Sequence, residues 1–409
     1  MSSAASGAVE AVALERPASI TRAERSLAPD IARGAMLLFI AVANVGMYLW
    51  GRGLDEYGNA ADAVGVDRLA HALEQLLMAE RSRPMFAILY GFGIAVMASR
   101  MAARGVDPRG VRRVLRRRSW WLVALGVLHA GLLFSGDILA AYGASGLIVL
   151  GLVQLSGRAL RRWLWGTLVF VALVGLPGFA VMLSMGSTLD EGLAAGEHPA
   201  GSGYLSHVVH GLATSAGGMV FAVLLMAYLP LMIGGIMLRR AGWLDRPADN
   251  LVVLRRVFVS GMVVNLTSSL PVTLIALGVW QPGTGTAVVA TWVTLLGGMY
   301  AGWGYICGFA LLAHRWSARG RRGLPGALAA LGERSLTGYL GQSLLMAPLL
   351  SPWGLALGDG LGYLGAYAIA VGAWLTTLVL AVVLERRGLR GPFEVLLRRL
   401  TYGPSHGSG

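Results

Sequence analysis

The stretch Leu122–Gly146, LVALGVLHAGLLFSGDILAAYGASG, consists of two apolar runs joined by a short turn that carries one carboxylate, Asp137. Apolar runs of similar length recur along the chain. Of its 409 residues, 56% are hydrophobic and only 13% are charged, whereas about 25% of the residues of a soluble domain are charged. The composition therefore predicts an all-α polytopic membrane protein.

We expect about ten membrane-spanning helices, because a helix needs about 20 apolar residues to cross the hydrocarbon core of a bilayer. The ninth predicted span is short, and the segment MAPLLSPWG at its end contains two prolines, so nine spans are the alternative. The predicted spans are 31–50, 84–99, 119–135, 139–156, 163–184, 217–238, 257–280, 287–313, 335–351 and 361–384.

The distribution of arginine predicts how these spans are oriented. The chain has 34 basic residues, all of them arginine, and a net charge of +13. If the amino terminus lies in the cytoplasm, 30 of these 34 residues fall on the cytoplasmic side, as the positive-inside rule requires. We therefore expect both termini in the cytoplasm. Because the arginines cluster beside apolar spans, the positive charge does not indicate nucleic-acid binding.

Outside the spans, the sequence predicts two polar tails, residues 1–26 and 404–409, flanking a single membrane domain, residues 27–403. The loop 100–118 carries eight arginines in nineteen residues, which predicts contact with anionic lipids at the cytoplasmic face. Contact with a phosphorylated cofactor is the alternative. Residues 66–83, VDRLAHALEQLLMAERSR, place leucines at helical spacing and predict an amphipathic helix at the membrane surface.

A second predicted outer loop contains His207 and His210, which are three residues apart and could share one face of a helix. No acidic or cysteine partner follows at helical spacing, so the pair does not predict a metal site. We expect an amphipathic helix there instead.

Three polar residues of the first span fall on one helix face. Asp30 and Arg33 are three residues apart and can pair, and Asn44 follows Arg33 by eleven residues, a net rotation of about 20°. Ionisable groups at membrane depth are costly and mark functional candidates. In the alternative interpretation, Asp30 caps the helix, Arg33 reaches the interface and Asn44 bonds a neighbouring helix.

The only histidine well inside a predicted span is His129. Asp137 follows it by eight residues, about 12 Å along a helix, so we expect the two side chains to line one cavity open to the outside without touching. Arg83, at the outer end of the second span, is the expected counter-charge of Asp137. The alternative interpretation is a neutral His129 bonded to a nearby carbonyl group.

The ninth span begins with a polar face. Ser335, Tyr339 and Gln342 follow one another at four and three residues, which places them on one side of a helix. Such hydroxyl and amide groups commonly join helices to each other. They would equally suit a polar pathway near the inner leaflet, and the pattern does not choose between the two.

Five short motifs, taken in order, resemble a known family. DIARG resembles the pattern LDxLRG, and FAILYGFG resembles FslLFGiG. GVLHAGLLFSGDILAAYGASGLI is similar to GllHxxLlxxGDILxxYAllGli, GERSLTGYLGQS to GRMALTNYLLQS, and RGPFEVLLRRLTYG to GPLEWLWRxLTY. From about residue 28 to 403 the chain thus resembles the YeiB-like bacterial membrane proteins, which implies a multi-pass protein of the bacterial plasma (inner) membrane. Their carboxyl-terminal part, about residues 220–403 here, is catalogued as domain of unknown function 418.

This resemblance also implies an activity. The family is similar to a wider group of membrane acyltransferases, including the heparan-glucosaminide N-acetyltransferases, which take an acyl group from a cytoplasmic thioester and place it on a sugar or related acceptor. Their catalytic histidine commonly follows the first span. Here the first histidine after that span is His71, which lies outside every matched motif.

The first hypothesis is therefore an acyltransferase-like enzyme with His129 and Asp137 as catalytic residues. His129 serves as general base, Arg83 helps to orient a sugar, lipid or small-molecule acceptor, and Asp30 with Arg33 meets the donor. Acyl-CoA is the expected donor substrate, and no permanently bound cofactor or metal is expected. A transporter of a small solute or lipid precursor and a non-catalytic structural or partner-binding protein are the alternatives, and a homo-oligomer fits each of them. The remaining candidate substrate-binding residues are Asn44, Tyr142, Ser335, Tyr339 and Gln342.

Overall fold

A computed structural model of the protein describes residues 26–194, 203–224 and 228–403. The predicted tails, apart from Ser26, lie outside these ranges. The described chain is built from α-helices and contains no strand beyond two isolated bridges, which confirms the all-α prediction. The helices are α1 (Ala28–Val45), α2 (Gly65–Leu77), α3 (Ser82–Ala103), α4 (Pro108–Leu132), α5 (Leu139–Val149), α6 (Gly157–Ala194), α7 (Tyr204–Leu224), α8 (Leu229–Ala241), α9 (Leu251–Ala276), α10 (Thr284–Arg315), α11 (Gly323–Glu333), α12 (Ser335–Leu350), α13 (Tyr363–Arg386) and α14 (Pro392–Tyr402).

Within the described ranges, five helical segments are long and apolar enough to cross a membrane, so the protein is a multi-pass membrane protein. Two predicted spans are not single full-length helices in the structure. The fourth contains α5, which is only 11 residues long, and the sixth is divided between α7 and α8. The five segments are Ala28–Tyr48, Gly65–Ala103, Pro247–Ala276, Thr284–Arg315 and Tyr363–Arg386.

The amphipathic helix expected after the first span is present as α2. Leu69, Leu73 and Leu77 on this helix remain 49%, 47% and 39% exposed. The described part of the chain therefore leaves the apolar face of α2 uncovered, as a helix lying in the membrane interface requires.

At the centre of the bundle lies α1, which packs against α3, α10, α11, α12 and α13. Its apolar side chains Ile31, Leu37 and Ile40 are at most 1% exposed. Because α1 has neighbours on every side, its polar residues face either another helix or an internal cavity.

Glycine allows α3 and α8 to pack backbone to backbone. A Cβ atom at Gly91 would overlap the carbonyl group of Met232, so no larger residue fits there without moving the helices apart. Such close approach of two helices at a small residue is typical of helix packing in membranes.

The turn between α4 and α5 folds back into the bundle. Residues 133–138 return alongside α4 before α5 begins, and they pack against Gly126. A Cβ atom at Gly126 would overlap the Ala140 nitrogen and lie 2.5 Å from Asp137 Oδ2. The glycine thus makes room for a short non-helical segment inside the protein, where it is sheltered from lipid.

Both ends of the described chain lie at one end of the bundle, because Ser26 and Glu394 line the same cavity. Arg100, Arg118 and Arg239 line that cavity as well. We call this end of the bundle the arginine-rich end, and we call the other end of the bundle the opposite end. The two are separated by the length of α1, whose 18 residues extend about 27 Å.

Candidate functional site

A buried hydrogen bond joins His129 of α4 to Asp137 of the returning turn. The Nδ1 atom of His129 lies 2.8 Å from Asp137 Oδ1, and the two side chains are 2% and 0% exposed. The sequence-based expectation that they cannot touch is wrong. It assumed a continuous helix, whereas α4 ends at Leu132 and the chain folds back.

Three groups hold the Asp137 carboxylate in place. Besides His129, the Ala140 nitrogen donates to Oδ2 at 2.9 Å, and the Tyr339 hydroxyl donates to Oδ1 at 3.3 Å. Ala140 belongs to the first turn of α5, whose amino-terminal dipole favours a negative charge at this position. The carboxylate is therefore stabilised by donors from α4, α5 and α12.

The expectation that Arg83 balances Asp137 is also wrong. The guanidinium group of Arg83 pairs with Glu80 one turn earlier. Its carbonyl oxygen accepts a hydrogen bond from the Tyr142 hydroxyl at 2.7 Å. Tyr142 therefore connects α5 to the start of α3, and the charge of Asp137 is met by His129 instead.

The pair fixes the orientation of the imidazole ring. An ionised Asp137 accepts a hydrogen bond from the Nδ1–H group, and in this tautomer Nε2 of His129 is the unprotonated nitrogen. That atom is buried and has no hydrogen-bond partner among the described residues. The rings of Tyr339 and Phe134 lie 5.1 Å and 6.1 Å from the His129 ring. A histidine held by a carboxylate with its second nitrogen free is suited to general-base catalysis.

A cavity of about 540 Å³ extends from the arginine-rich end towards this pair. Tyr339 contributes to both, because its ring lines the cavity while its hydroxyl bonds Asp137. Apolar and aromatic side chains form most of the inner part, and charged groups lie at the mouth. The residues used below that line it are Asp30, Arg33, Tyr90, Arg118, Leu139, Tyr142, Ser335, Tyr339, Glu394 and Leu397.

The predicted Asp30–Arg33 pair forms and lines this cavity. Arg33 Nη1 lies 3.1 Å from Asp30 Oδ1, and the Asp30 side chain is fully buried. Asn44 does not join the lining, because eleven residues carry it about 16 Å further along α1. The predicted polar stripe is therefore shared between the cavity and a separate region near the opposite end.

The polar face of α12 is divided in the same way. Ser335 and Tyr339 line the cavity, whereas the amide nitrogen of Gln342 donates to the Leu37 carbonyl at 3.1 Å. Gln342 is 1% exposed and joins α12 to α1. Ser335 and Tyr339 therefore lie at a cavity, whereas Gln342 connects two helices.

A second cavity, of about 150 Å³, lies at the opposite end. Phe134 forms part of its wall and packs against the Tyr48 ring at 5.2 Å. Its lining residues are Met47, Tyr48, Leu49, Trp50, Leu133, Phe134, Ser135, Ser206, His207, His210, Ser351, Pro352 and Trp353. The His129–Asp137 pair therefore lies between the two cavities, behind Tyr339 on one side and Phe134 on the other.

The other buried histidine, His71, is a packing residue. Its Nδ1 lies 3.2 Å from the Tyr367 hydroxyl, and its Nε2 lies 2.9 Å from the Asn59 side-chain oxygen. The ring also stacks on Tyr363 with centroids 4.1 Å apart. Because both nitrogens are engaged, His71 offers no free base. In the described chain, no group of three or more His, Cys, Asp or Glu side chains is arranged to hold a metal ion.

Sequence reasoning missed three residues that shape the site. Gly126 makes room for the turn, Phe134 separates the pair from the second cavity, and Glu394 of α14 caps the first turn of α12. Glu394 contacts Leu336 and Thr337, from which it is separated by 58 and 57 positions in the sequence. No local sequence pattern predicts contacts over that separation. Gly126 is part of the motif GVLH, but the helical periodicity of α4 does not predict that this glycine makes room for a turn.

Comparison with known proteins matches part of the chain to a family model and most of it to two bacterial proteins. Residues 238–404 match the family model described as "Protein of unknown function (DUF418)". The chain is 29% identical over 394 residues to "Uncharacterized protein YeiB" of Escherichia coli (strain K12), a match that covers 92% of this chain and 96% of that protein. It is 24% identical over 344 residues to "Uncharacterized protein YxaH" of Bacillus subtilis (strain 168), which covers 78% of each. The resemblance found in the five motifs is confirmed.

Proposed function

We propose that this chain, which is similar to YeiB and matches the DUF418 model over residues 238–404, is an acyltransferase-like enzyme. It moves an acyl group from a cytoplasmic acyl-thioester to a hydroxyl-bearing sugar, lipid or small molecule. The observation that carries this proposal is the buried His129–Asp137 pair between two cavities that begin at opposite ends of the bundle.

The reaction needs one base and a fixed proton path. His129 Nε2 removes the proton from the acceptor hydroxyl while the hydroxyl oxygen attacks the carbonyl carbon of the thioester. A carbon–oxygen bond forms, the carbon–sulfur bond breaks, and the proton passes from His129 to the leaving sulfur. Asp137 holds the imidazole in the required orientation and stabilises its transient positive charge. The products are an ester and a free thiol.

The larger cavity fits the donor side of this scheme. The positive-inside rule supports a cytoplasmic position for its arginine-rich mouth, on the side of the membrane where an acyl-CoA donor would be. Arg118 at the mouth is half-buried and has no carboxylate partner among the described residues, so its guanidinium group is available for a phosphate. The acyl chain would then lie among the apolar side chains deeper in the cavity, next to Tyr339.

A proton-coupled transporter is the second candidate, and one feature favours it. The short helix α5 begins inside the bundle, beside a buried ionisable pair that lies between two cavities. Half-length helices that end at a central site are typical of secondary transporters. In that scheme His129 would carry the coupled proton and no thioester would bind.

Calorimetry with the purified protein separates these candidates. Acetyl-CoA and longer acyl-CoAs are titrated into the wild type, His129→Ala and Arg118→Gln. We expect saturable binding to the first two and weaker binding to Arg118→Gln. Arg113→Gln is the matched control, because Arg113 is exposed on the same helix and does not line the cavity. No binding at any chain length contradicts the donor model and directs attention to proton-coupled uptake in liposomes.

A further inference from the structure

The cavity at the opposite end has the chemistry of a small-molecule site of its own. Three serine side chains line it, together with rings from four different segments of the chain. Its volume of about 150 Å³ is about half the lower limit for drug-sized ligands, which restricts it to one ring or a similarly small group. The aromatic and imidazole rings are those of Tyr48, Trp50, Phe134, His207, His210 and Trp353, and the serines are Ser135, Ser206 and Ser351.

Two polar atoms of this wall are buried without a partner. Neither Nε2 of His207 nor Nε1 of Trp353 has a hydrogen-bond partner in the described chain. The Trp50 ring nitrogen differs, because it already donates to the Leu350 carbonyl at 3.2 Å. A buried donor left unpaired costs free energy, and a ligand with hydroxyl groups would satisfy both of these atoms.

The positions of His207 and Trp353 are set by their neighbours. The two rings lie 5.7 Å apart, and Tyr204 stacks on His207 and meets Trp353 edge to face at 5.0 Å. This cluster joins α7 to the turn that follows α12. The two unpaired nitrogens are therefore held by packing, as a preformed site requires.

The charge of the lining defines the class of ligand. No arginine and no carboxylate is among the residues that line this cavity, in contrast to the cavity at the arginine-rich end. Phosphates and carboxylates would find no permanently charged partner there, because the only titratable cations of the lining are the histidines His207 and His210. Aromatic faces suit the apolar face of a ring, while serine, histidine and tryptophan suit its hydroxyl groups. A neutral, hydroxyl-bearing ring satisfies both requirements.

We propose that this cavity binds one neutral sugar-like ring, either free or at the end of a lipid-linked chain, and that this ring is the acyl acceptor. The assignment as acceptor rests on the proposed function. Phe134 lines this cavity, and its ring lies 6.1 Å from the His129 ring. A rotation of that ring would let one hydroxyl of the bound ligand reach His129 Nε2. The hydroxyl loses its proton to that nitrogen and takes the acyl group, with the thiol as the other product.

The test uses saturation-transfer difference NMR on the purified full-length protein without any acyl donor. The detergent is lauryldimethylamine oxide, because glucoside and maltoside detergents would compete with the probes. The probes are methyl β-glucoside for a free sugar and dodecyl β-glucoside, below its micellar concentration, for a lipid-linked one. We expect saturable transfer to the ring protons of at least one probe, and the probe that binds identifies the source.

Two variants connect that signal to the cavity. Trp353→Phe keeps an aromatic ring but removes the donor, and His207→Gln keeps a polar group of different reach. Each should weaken binding about fivefold, as expected for the loss of one hydrogen bond. Trp165→Phe, on the exposed surface of α6, should bind like the wild type.

Two results overturn the proposal: no binding of either probe, or binding that both cavity variants leave unchanged. His129→Ala should bind the probes normally, because His129 does not line this cavity. Since no thioester is present, the outcome depends on the cavity at the opposite end alone. The calorimetric titration of acyl-CoA reports separately on the proposed enzymatic activity.

Discussion

His129 and Asp137 lie eight residues apart in the chain, yet their Nδ1 and Oδ1 atoms are 2.8 Å from each other. Two features of the chain produce this contact. α4 ends one turn after His129, and residues 133–138 fold back along the helix. The contact therefore depends on a turn that must fit closely against α4, and changes to that fit should impair the site.

The close fit at Gly126 gives the first prediction. In Gly126→Ala the added methyl group would meet the Ala140 nitrogen and the Asp137 carboxylate, so the turn must shift. We expect a loss of about 1–3 kcal/mol in stability, as for other overpacked sites, together with a large fall in activity. Thermal unfolding in detergent measures the first effect. Gly166→Ala is the control, because Gly166 has nothing within 4 Å of its Cβ position; equal behaviour of the two variants would contradict the account.

The Tyr339 hydroxyl gives the second prediction. Tyr339→Phe removes one donor to Asp137 and keeps the ring that lines the cavity. A hydrogen bond to a charged group contributes about 1.5–3 kcal/mol, so turnover should fall about tenfold or more while the affinity for the donor changes little. Tyr90→Phe is the matched control, since Tyr90 lines the same cavity but its hydroxyl faces Ser119 at 3.4 Å. A larger effect from Tyr90→Phe would reverse the assignment.

Phe134 should act as the barrier between the pair and the second cavity. Phe134→Leu leaves a smaller side chain at a position that is 2% exposed. Water should then reach His129 more readily. Hydrolysis of the acyl donor should therefore rise relative to transfer of the acyl group to the acceptor. The ratio of free acid to acylated product, measured with a radiolabelled acyl-CoA, checks this. An unchanged ratio would mean that the acceptor does not enter past Phe134.

Glu394 gives a prediction about stability. Its carboxylate accepts hydrogen bonds from the Leu336 and Thr337 nitrogens at 2.8 Å and 3.0 Å, in the first turn of α12. Glu394→Gln should cost about 0.5–2 kcal/mol, because it removes a charged cap from a helix amino terminus. Asp249→Asn is the comparison, since this exposed residue makes only a 4.0 Å contact with Arg246 and should change stability very little. Melting temperatures that fall equally would contradict the capping role.

Composition and periodicity were sufficient for the general architecture. Apolar runs predicted a helical membrane protein, and the leucine spacing of α2 predicted its surface helix. The Asp30–Arg33 pair also follows from spacing alone, because both residues belong to one regular helix. These predictions use only the 3.6-residue repeat and the solvent preference of side chains.

The contacts that create the site depend on where regular structure stops. His129 meets Asp137 because α4 ends at Leu132, and Tyr339 reaches the pair from a helix 202 residues further along the chain. Arg83 was assigned to Asp137 because both were expected on one face of the membrane, but Glu80 lies one turn away from Arg83. Helical spacing describes neighbours within a helix, and it does not predict a reversal of the chain or contacts between distant helices.

The most direct test of the central claim compares thiol release from acyl-CoA by the wild type, His129→Gln and Asp137→Asn, with a bacterial membrane extract as the source of acceptor. The only cysteine, Cys307, is buried, so a thiol reagent reports on the product and not on the folded protein. If the pair acts as the base, both variants should bind the donor like the wild type and lose about 10²–10⁴-fold in turnover. Equal turnover in all three proteins, or no thiol release by the wild type, would contradict the account.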